Sequence, residues 1–383
     1  MKNISLLFAL LMISFTYSNA QITIGNDVFP KPGDNLKYAE STDASLQLDM
    51  KGNAGPHEWD FEVLNKGRLF TERYVSPSEG TDTGTFSDAD LLLFNGREER
   101  YFKSSDTQVE GLGFGGINPL FGAPIAIRYT KRPAIRFAPL KFIDTKTSEG
   151  AFKIGLPASV FPDTLLAIFP AGFVPDSVRI EFTSESTGLI DAFGTLKMQG
   201  QTFNVLREKV AETTQTKVGI KLALLGWVDL KTIASTFNFP LPEFLNNILG
   251  EQKRTIYKFH TDTKKEILVA ATYEQDGTFQ SVTFADLGGV TSGNTDVKGP
   301  EFTLYPNPAS DHVTLATPEW NSGTYLITIA DVNGRIVYAE PCELFQHSSK
   351  TINTDKINTG TYFLTIRDVF NRISGTTQFL IVK

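Results

Sequence analysis

Paired carboxylates are the side chains of this sequence best suited to catalysis. Two pairs lie close together in the chain, Asp88 with Asp90 and Glu181 with Glu185. A glycosidase needs only two acids, one to donate a proton and one to act as nucleophile or base. In the alternating run Val178–Phe182, however, Glu181 falls on the polar face, which favours a solvated charge. These acids keep a carboxylate-based hydrolase of polysaccharides open, and no residue is assigned a catalytic role.

Histidine and cysteine, which carry most metal and nucleophilic chemistry, are scarce. The chain has four His and one Cys, Cys342, and only His57 and His260 precede residue 300. A zinc site would therefore draw most of its ligands from carboxylates, against the usual preference for His and Cys. The loop at Asp286–Asp296 lacks the ligand spacing of an EF-hand. We therefore predict no cofactor and no metal-binding or cofactor-binding residue.

A glycine-rich stretch, Gly111–Gly116, matches the dinucleotide-binding pattern G-x-G-x-x-G. That pattern binds a pyrophosphate only where a strand precedes it and a helix follows it. Here the polar run Lys103–Glu110 precedes the stretch. Pro119 and Pro124 follow it, so no helix can begin after it. We interpret this stretch as a flexible loop.

Composition indicates a folded, acidic protein. The 383 residues carry 36 basic and 43 acidic side chains, a formal net charge of −7. Such a balance offers no basic groove, so no nucleic-acid partner is expected. The length predicts roughly two domains. Phe is frequent, with 30 residues against 3 Trp, and this favours core packing over a surface that stacks on sugar rings.

Residues 1–20 have the layout of a secretory signal peptide. Lys2 supplies a positive start, Ile4–Phe15 is apolar but for two Ser, and Ser18 and Ala20 are small. The apolar run is shorter than the roughly 20 residues of a membrane-spanning helix. We expect cleavage between Ala20 and Gln21.

Residues 21–287 show the alternation of β-strands. In Trp59–Val63, for example, Trp59 and Val63 share one face. Three later runs predict a meander with a turn at Asp276-Gly277: Thr255–His260, Glu266–Tyr273 and Phe279–Phe284. Helical spacing predicts short helices at Thr164–Phe169 and Leu241–Gly250. The expected fold is a large β-sandwich-like region of one or two lobes.

Residues 288–300 predict a flexible linker, because they are rich in Gly, Ser and Thr and hold no aromatic residue. Beyond it, residues 301–383 contain an internal sequence repeat. The run Gly323–Ile336 recurs as Gly360–Ile373, each with an alternating strand, an Asp/Asn turn and a return strand. About seven short strands fit in this region, the density of a small Ig-like β-sandwich. The fold class is therefore all-β.

Four segments of this last region resemble the type A C-terminal sorting domain of type IX secretion cargo proteins. They are Leu304–Ala309, with Tyr305, Pro306, Asn307 and Pro308; Asp331–Val337, with Asn333 and Gly334; Thr359–Leu364, with Gly360 and Tyr362; and Phe379–Lys383, which ends on Lys383. Their spacing and order agree with the family. The turn Asp368–Asn371 is bulkier than the family's usual glycine-containing turn.

The resemblance implies a route and a set of partners. A cargo protein crosses the inner membrane with its signal peptide, folds in the periplasm and is carried over the outer membrane by the type IX translocon. A peptidase usually removes the sorting domain, and the cargo is then released or attached to surface lipopolysaccharide. We call residues 21–287 the cargo region. Its runs Trp59–Phe61, Phe193–Leu196 and Val205–Arg207 resemble β-rich domains of other cargo proteins that have no assigned activity.

The sequence leaves two functions open for the cargo region. The first is a non-enzymatic surface or binding protein, with a glycan among the ligands considered, and the scarcity of His-based motifs favours it. The second is the secreted polysaccharide hydrolase. Asp163–Leu165 and Asp176–Val178 also resemble the short O-glycosylation acceptor pattern of bacteria that use this secretion route.

Overall fold

The structure is a computed structural model of the chain. It describes residues 22–43, 45–50, 52–94, 98–116, 124–160, 166, 175–238, 240–241, 243–288, 302–317, 323–332, 334–344, 348–368 and 373–383. The predicted cleavage site, Asn333, and nearly all of the predicted linker and of the helix predicted at Thr164–Phe169 lie outside these residues. No helix in the described ranges is both long enough and apolar enough to span a membrane.

Strands make up most of the cargo region. The first eight are β1 (Asn35–Ser41), β2 (Ala54–Asp60), β3 (Arg68–Val75), β4 (Leu91–Phe94), β5 (Glu98–Ser104), β6 (Gln108–Gly116), β7 (Ile127–Arg128) and β8 (Ala134–Phe137). The next seven are β9 (Thr145–Pro157), β10 (Ser177–Met198), β11 (Gln201–Leu222), β12 (Gly226–Asp229), β13 (Gly250–His260), β14 (Val269–Glu274) and β15 (Phe279–Ala285). Two helices, α1 (Leu230–Thr236) and α2 (Glu243–Ile248), lie between β12 and β13.

These strands join into one hydrogen-bonded sheet. Its order is β2-β10-β11-β13-β14-β15-β1-β3-β4-β5-β6-β7, while β9, β12 and β8 pair with β10, β11 and β6. Lys131, between β7 and β8, also forms an antiparallel bridge with Ala151 of β9. The sheet therefore bends back on itself. The predicted all-β fold class is confirmed.

The longest hairpin of the sheet is formed by β10 and β11, with 22 residues in each strand. Gln199 and Gly200 at its tip both have positive φ, 50° and 73°. Two such residues make the type I′ turn whose twist matches that of paired strands. The predicted meander is confirmed as β13, β14 and β15, paired in that order.

An aromatic core packs the end of β2 against Phe259 of β13. The ring of Phe259 lies 5.0 Å from that of Trp59 and 5.4 Å from that of Phe61, both in edge-to-face geometry. All three side chains are buried. Val63, expected on the same face as Trp59, is 51% exposed, because β2 ends at Asp60 and the alternation ends with it. The Phe excess therefore does serve core packing here.

Helix α1 was not expected from the sequence. The Asp229 carboxylate accepts a hydrogen bond from the Thr232 backbone N–H at 2.9 Å, which caps the first turn. Leu230, Ile233 and Ala234 are buried on one face. Helix α2 lies within the predicted Leu241–Gly250. Gly250, with φ of 97°, is the first residue of β13.

The C-terminal region forms two further sheets. Its strands are β16 (Thr303–Tyr305), β17 (His312–Thr317), β18 (Gly323–Asp331), β19 (Ile336–Leu344), β20 (Ser348–Asn353), β21 (Gly360–Asp368) and β22 (Ile373–Ile381). One sheet has the order β16-β17-β20 and the other β19-β18-β21-β22. A core that includes Val313, Ile327, Leu364 and Ile381 lies between them. The described residues thus contain the seven strands that the sequence predicts.

Candidate functional site

The cargo region contains a cavity of about 580 Å³. Strands β1, β3 to β6, β8, β14 and β15 contribute to its wall, together with Ile125 and Tyr129 on either side of β7, so it lies within the bend of the sheet. Its aromatic lining is Tyr38, Tyr74, Phe102, Phe114 and Tyr129. Its charged lining is Glu72, Glu98, Glu99, Arg100 and Arg136. A volume of this size, with apolar walls and a few polar groups, is typical of a small-molecule site.

The glycine-rich stretch forms part of this wall, and the loop interpretation was wrong. Residues Gln108–Gly116 are strand β6, and Gly111, Gly113 and Gly115 all line the cavity. Gly113 has φ of 154°, and a Cβ there would lie 2.1 Å from the Ile127 carbonyl oxygen. Gly113 therefore lets β6 approach β7 closely, which is a packing role rather than a phosphate-binding one.

Two tyrosines provide polar groups at the cavity wall. The Tyr74 hydroxyl donates a hydrogen bond to the Glu72 carboxylate at 3.0 Å. Burial raises the pKa of Tyr74, and the Glu72 charge adds to this. Burial also raises the pKa of Tyr38 to about 12, against the opposing effect of Arg136. Both phenols are therefore protonated at neutral pH and act as neutral hydrogen-bonding groups.

Arg136 lies at the junction of two cavities. It lines the large cavity and also a smaller one of about 40 Å³, together with Glu208, Lys258 and His260. Burial lowers the pKa of the Arg136 guanidinium, but Tyr38, Tyr74 and Glu72 outweigh this and raise it. The side chain is therefore a permanent cation. It sits at the centre of β8, opposite Val109 of β6.

A buried acid and histidine lie behind Arg136. His260 Nε2 is 2.9 Å from the Glu208 carboxylate, and Lys258 Nζ is 4.0 Å from it. Burial raises the pKa of Glu208, but Lys258 and His260 outweigh this and lower it to about 2. Burial lowers the pKa of His260. At neutral pH an ionised Glu208 therefore accepts a hydrogen bond from a neutral His260.

A row of aromatic rings leads from the cavity onto the sheet. The Phe114 ring lies 6.1 Å from that of Tyr129 and 5.2 Å from that of Phe152. Phe152 in turn stacks on Phe182 of β10 at 5.3 Å. All four are only partly buried. The row offers ring faces on which a planar or sugar-like ligand could stack.

The predicted acid pairs are engaged by basic residues. Asp88 forms ion pairs with Arg128 at 2.9 Å and Arg132 at 3.0 Å. Burial raises the pKa of Asp88, but these two arginines outweigh it and lower it. Asp90 lies 3.3 Å from Lys103. An acid held ionised in this way cannot serve as the proton donor of a glycosidase.

In the second pair, Glu181 has the same character. Glu181 lies 2.9 Å from both Lys153 and Arg179, and the hydrogen bond from Lys153 lowers its pKa. Glu185 is opposite Glu149 of β9. None of the four predicted acids is among the residues that line the large cavity.

The remaining candidate residues lie apart from one another. His57 is beside Trp59, and its Nε2 is 3.2 Å from the Asn53 carbonyl oxygen. Within the described part of the chain, no three His, Cys, Asp or Glu side chains are grouped as metal ligands. Ser177, of the second glycosylation-like segment, is the first residue of β10 and pairs with both β9 and β11. Asp163–Leu165 lies outside the described residues.

Two other buried charged residues hold the fold together. Arg207, 1% exposed, pairs with Asp191 at 2.9 Å and donates to the backbone oxygens of Met50 and Gly52. Glu99, also 1% exposed, accepts hydrogen bonds from Tyr101 and from the backbone and hydroxyl of Thr81. Their hydrogen bonds satisfy them internally, so we assign them structural roles.

Sequence reasoning did not single out Arg136, Glu72 or Tyr129. One signal was available for Arg136, because it interrupts the apolar run Pro133–Phe137. A charge at the centre of an otherwise apolar strand must find a partner or a ligand. The order of the strands brings Arg136 close to Tyr38 and Tyr74, and that order could not be predicted from the sequence.

The motif residues of the C-terminal region fix its turns and ends. Asn307 Oδ1 accepts a hydrogen bond from the Leu380 backbone N–H at 2.9 Å, while Tyr305 is 51% exposed. Pro306 and Pro308 flank Asn307 and are exposed. The Ala309 N–H donates to the Leu380 carbonyl oxygen at 2.7 Å, and the segment thereby joins the end of β22.

Three further motif positions play similar parts. Gly334, with φ of 82°, donates its N–H to the Asp331 carbonyl oxygen at 2.9 Å in the turn before β19. Gly360 begins β21, and the Tyr362 hydroxyl donates to the Asn358 carbonyl oxygen at 2.9 Å. The Lys383 backbone N–H donates to Thr359 Oγ1 at 3.1 Å. The described residues of the motif thus maintain the shape of this region.

Comparison with known proteins gives a match for this region. Residues 303–383 match the secretion system C-terminal sorting domain family. No curated protein matches the chain. Among solved structures, the chain is similar to PorZ, an essential bacterial surface component of the type IX secretion system of Porphyromonas gingivalis, at 12% identity and a TM-score of 0.18. That similarity covers 88% of this chain and 61% of PorZ.

A second structural similarity is to dimeric latent PorU from Porphyromonas gingivalis. It has 12% identity and a TM-score of 0.18, and covers 92% of this chain and 34% of PorU. TM-scores this low carry no argument about fold or activity. The match to the sorting-domain family is informative, because it covers the residues that carry the sequence motifs and form the two small sheets. The chain is therefore a cargo protein of the type IX secretion system, exported to the cell surface or beyond it.

Proposed function

We propose that the exported protein is a non-enzymatic binding protein that takes a glycan into the large cavity of its cargo region. The observation that carries this proposal is the composition of the cavity wall. Five aromatic side chains surround about 580 Å³, and charged and hydroxyl groups are interspersed among them. Aromatic faces that stack on sugar rings, together with a few polar groups that fix orientation, suit a saccharide.

The acid pairs favour binding over hydrolysis. A glycosidase acid must hold a proton at working pH, and its pKa is therefore raised. Asp88 and Glu181 instead have lowered pKa values, because basic residues contact both. Neither residue therefore suits the proton-donor role in the hydrolase that the sequence left open.

The processing steps form part of the same proposal. The signal peptide is removed between Ala20 and Gln21, and residues 288–300 link the cargo region to an Ig-like sorting domain of residues 301–383. The outer-membrane translocon and the sorting-domain peptidase act on that domain. The cargo then reaches the exterior, where attachment to lipopolysaccharide would keep it at the surface.

Binding and turnover should be measured together on residues 21–383, with a panel of oligosaccharides and polysaccharides. We expect binding to at least one glycan without release of reducing ends. Tyr129→Ala should weaken binding roughly 2- to 10-fold, since a stacked ring contributes about 0.5–1.5 kcal/mol beyond its buried area. Phe237→Ala, at a residue 52% exposed and outside the cavity, is the matched control. Release of reducing ends would instead favour the hydrolase.

A further inference from the structure

We propose that the ligand of the large cavity is an acidic sugar whose carboxylate is bound by Arg136. This inference rests on the proposed glycan-binding function and names the ligand class for the same site. It follows from the state of the Arg136 guanidinium, from the neighbouring acids and from the aromatic wall.

Arg136 has no acidic partner at ion-pair distance. Among the described residues, no carboxylate oxygen lies within 4.0 Å of its guanidinium, although ion pairs of this length are found for most arginines of the cargo region. The Tyr38 hydroxyl is its hydrogen-bonding neighbour. A guanidinium has five N–H donors in a planar fork. One hydroxyl leaves most of that fork available to a ligand.

The acids nearest to Arg136 are held by other groups. Glu72 accepts the hydrogen bond from Tyr74 at 3.0 Å. Glu208 is contacted by His260 at 2.9 Å and by Lys258 at 4.0 Å. Neither acid is at ion-pair distance from Arg136. The carboxylate of a ligand could therefore form an ion pair with Arg136 without displacing Glu72 or Glu208. Arginine binds carboxylates in a bidentate manner, which adds both energy and orientation.

The other two acids of the cavity wall also have partners of their own. Glu98 lies 3.5 Å from Arg367 of the sorting domain, and Glu99 is held by Thr81 and Tyr101. Arg100 also lines the cavity, is exposed, and acts electrostatically on the Tyr129 phenol. A second cation therefore lies near the aromatic row, where it can attract an anionic group of the ligand.

The aromatic side chains select a ring as the body of the ligand. Phe114 and Tyr129 line the cavity with their centroids 6.1 Å apart, on the same wall as Gly111, whose lack of a Cβ leaves room beside Tyr129. A uronic acid combines the two features, because its pyranose ring can stack on an aromatic face while its carboxylate reaches the guanidinium. An aromatic carboxylic acid shares this chemistry and serves as a separate arm of the test.

The test is calorimetric titration of residues 21–383 with trigalacturonate, with neutral galactotriose and with benzoate. We expect trigalacturonate to bind at least tenfold more tightly than galactotriose. Arg136→Gln should lower the affinity for trigalacturonate roughly 10- to 100-fold, the worth of hydrogen bonds to a charged group, and leave the affinity for galactotriose unchanged. Arg73→Gln, at an exposed arginine paired with Glu79 outside the cavity, should change neither affinity.

Arg136→Lys keeps the charge but not the fork, and it covers the case in which the Gln variant does not fold. It should retain part of the preference for the acidic sugar. Equal affinity for the acidic and neutral trisaccharides would overturn the inference and leave glycan binding intact. Tight binding of benzoate with no binding of either sugar would overturn the acidic sugar and the glycan proposal together. Binding of none of the three would have the same consequence.

Discussion

Thr328 of β18 and Thr365 of β21 lie directly opposite each other at the centre of the four-stranded sheet. They are separated by 37 positions, the same spacing that relates Gly323 to Gly360 in the repeated sequence. Each therefore faces its own counterpart, while residues on either side face non-equivalent ones. The internal sequence repeat therefore forms a local two-fold arrangement, with the return strands β19 and β22 at the two edges of the sheet.

Thr328→Val should destabilise the sorting domain. Thr328 is 4% exposed, and its hydroxyl donates to the Thr365 carbonyl oxygen at 3.3 Å. Valine keeps the shape but loses this bond, at a cost of about 1 kcal/mol. Hydrogen exchange in peptides covering β18 and β21 should speed up correspondingly. Thr303→Val, at an exposed position of β16, should leave the exchange as it is, and an unchanged rate for Thr328→Val would contradict the argument.

Acid should destabilise the cargo region through Glu208 and His260. Both have lowered pKa values in the folded protein, so the unfolded chain binds more protons and stability falls as pH falls. His260 contributes from about pH 6.5 downward. Glu208, from its ordinary value of 4.5 to about 2, contributes on the order of 3 kcal/mol that is lost across that interval.

Urea unfolding between pH 7 and pH 2 measures this dependence. Glu208→Gln should be less stable than the parent at pH 7, because Lys258 and His260 lose their partner, and its stability should change less below pH 4.5. Glu251→Gln, in an exposed pair with Lys253, is the matched control and should follow the parent. Parallel pH curves for the parent and Glu208→Gln would refute the assignment.

Cys342 should react slowly with thiol reagents. Burial raises the pKa of its thiol to about 12, and it packs against the core of the sorting domain. Since only the thiolate is nucleophilic, modification at pH 8 should be on the order of a thousandfold slower than for an unperturbed thiol of pKa about 8.5. The same chain in urea should react at the ordinary rate. A fast reaction of the folded protein would mean that the thiol is accessible.

The parts of the structure that the sequence predicted depend on local patterns. The meander β13 to β15 follows from alternation and from the turn at Asp276-Gly277, where Gly277 has φ of 86°. The strands of the C-terminal region follow from the same two signals, alternation and turn residues, in each copy of the sequence repeat. These patterns involve neighbours in the chain, so no knowledge of strand order is required.

The cavity could not be predicted in this way. Its wall joins Tyr38 of β1, Arg136 of β8 and Ala270 of β14, which only the order of the sheet brings together. Glu208 and His260 are 52 positions apart and meet through the pairing of β11 with β13. The glycines of β6 led to the wrong prediction of a loop because glycine is depleted in strands in general, whereas close packing against β7 requires it at Gly113.

Deleting residues 301–383 should leave a folded cargo region in the periplasm. The cargo strands form their own sheet, and the two sheets of the C-terminal region exchange no ladder hydrogen bonds with it in the described residues. Arg367 with Glu98 is a contact between the two parts, and truncation removes the buried Arg367 entirely and opens Glu98 to water, so no unpaired charge is left buried. Fractionation of cells that carry the type IX machinery, followed by a protease-resistance assay, measures both outcomes.

A neutral passenger with a signal peptide, fused to residues 288–383, is the reciprocal experiment and should reach the exterior. Limited proteolysis of the intact chain should cut first within residues 288–300, because cleavage concentrates in exposed, glycine-rich backbone. Secretion of the truncated protein, or retention of the passenger, would show that the export signal lies elsewhere. Unfolding of the cargo after truncation would show something different, namely that the sorting domain supports the cargo fold through contacts such as Arg367 with Glu98.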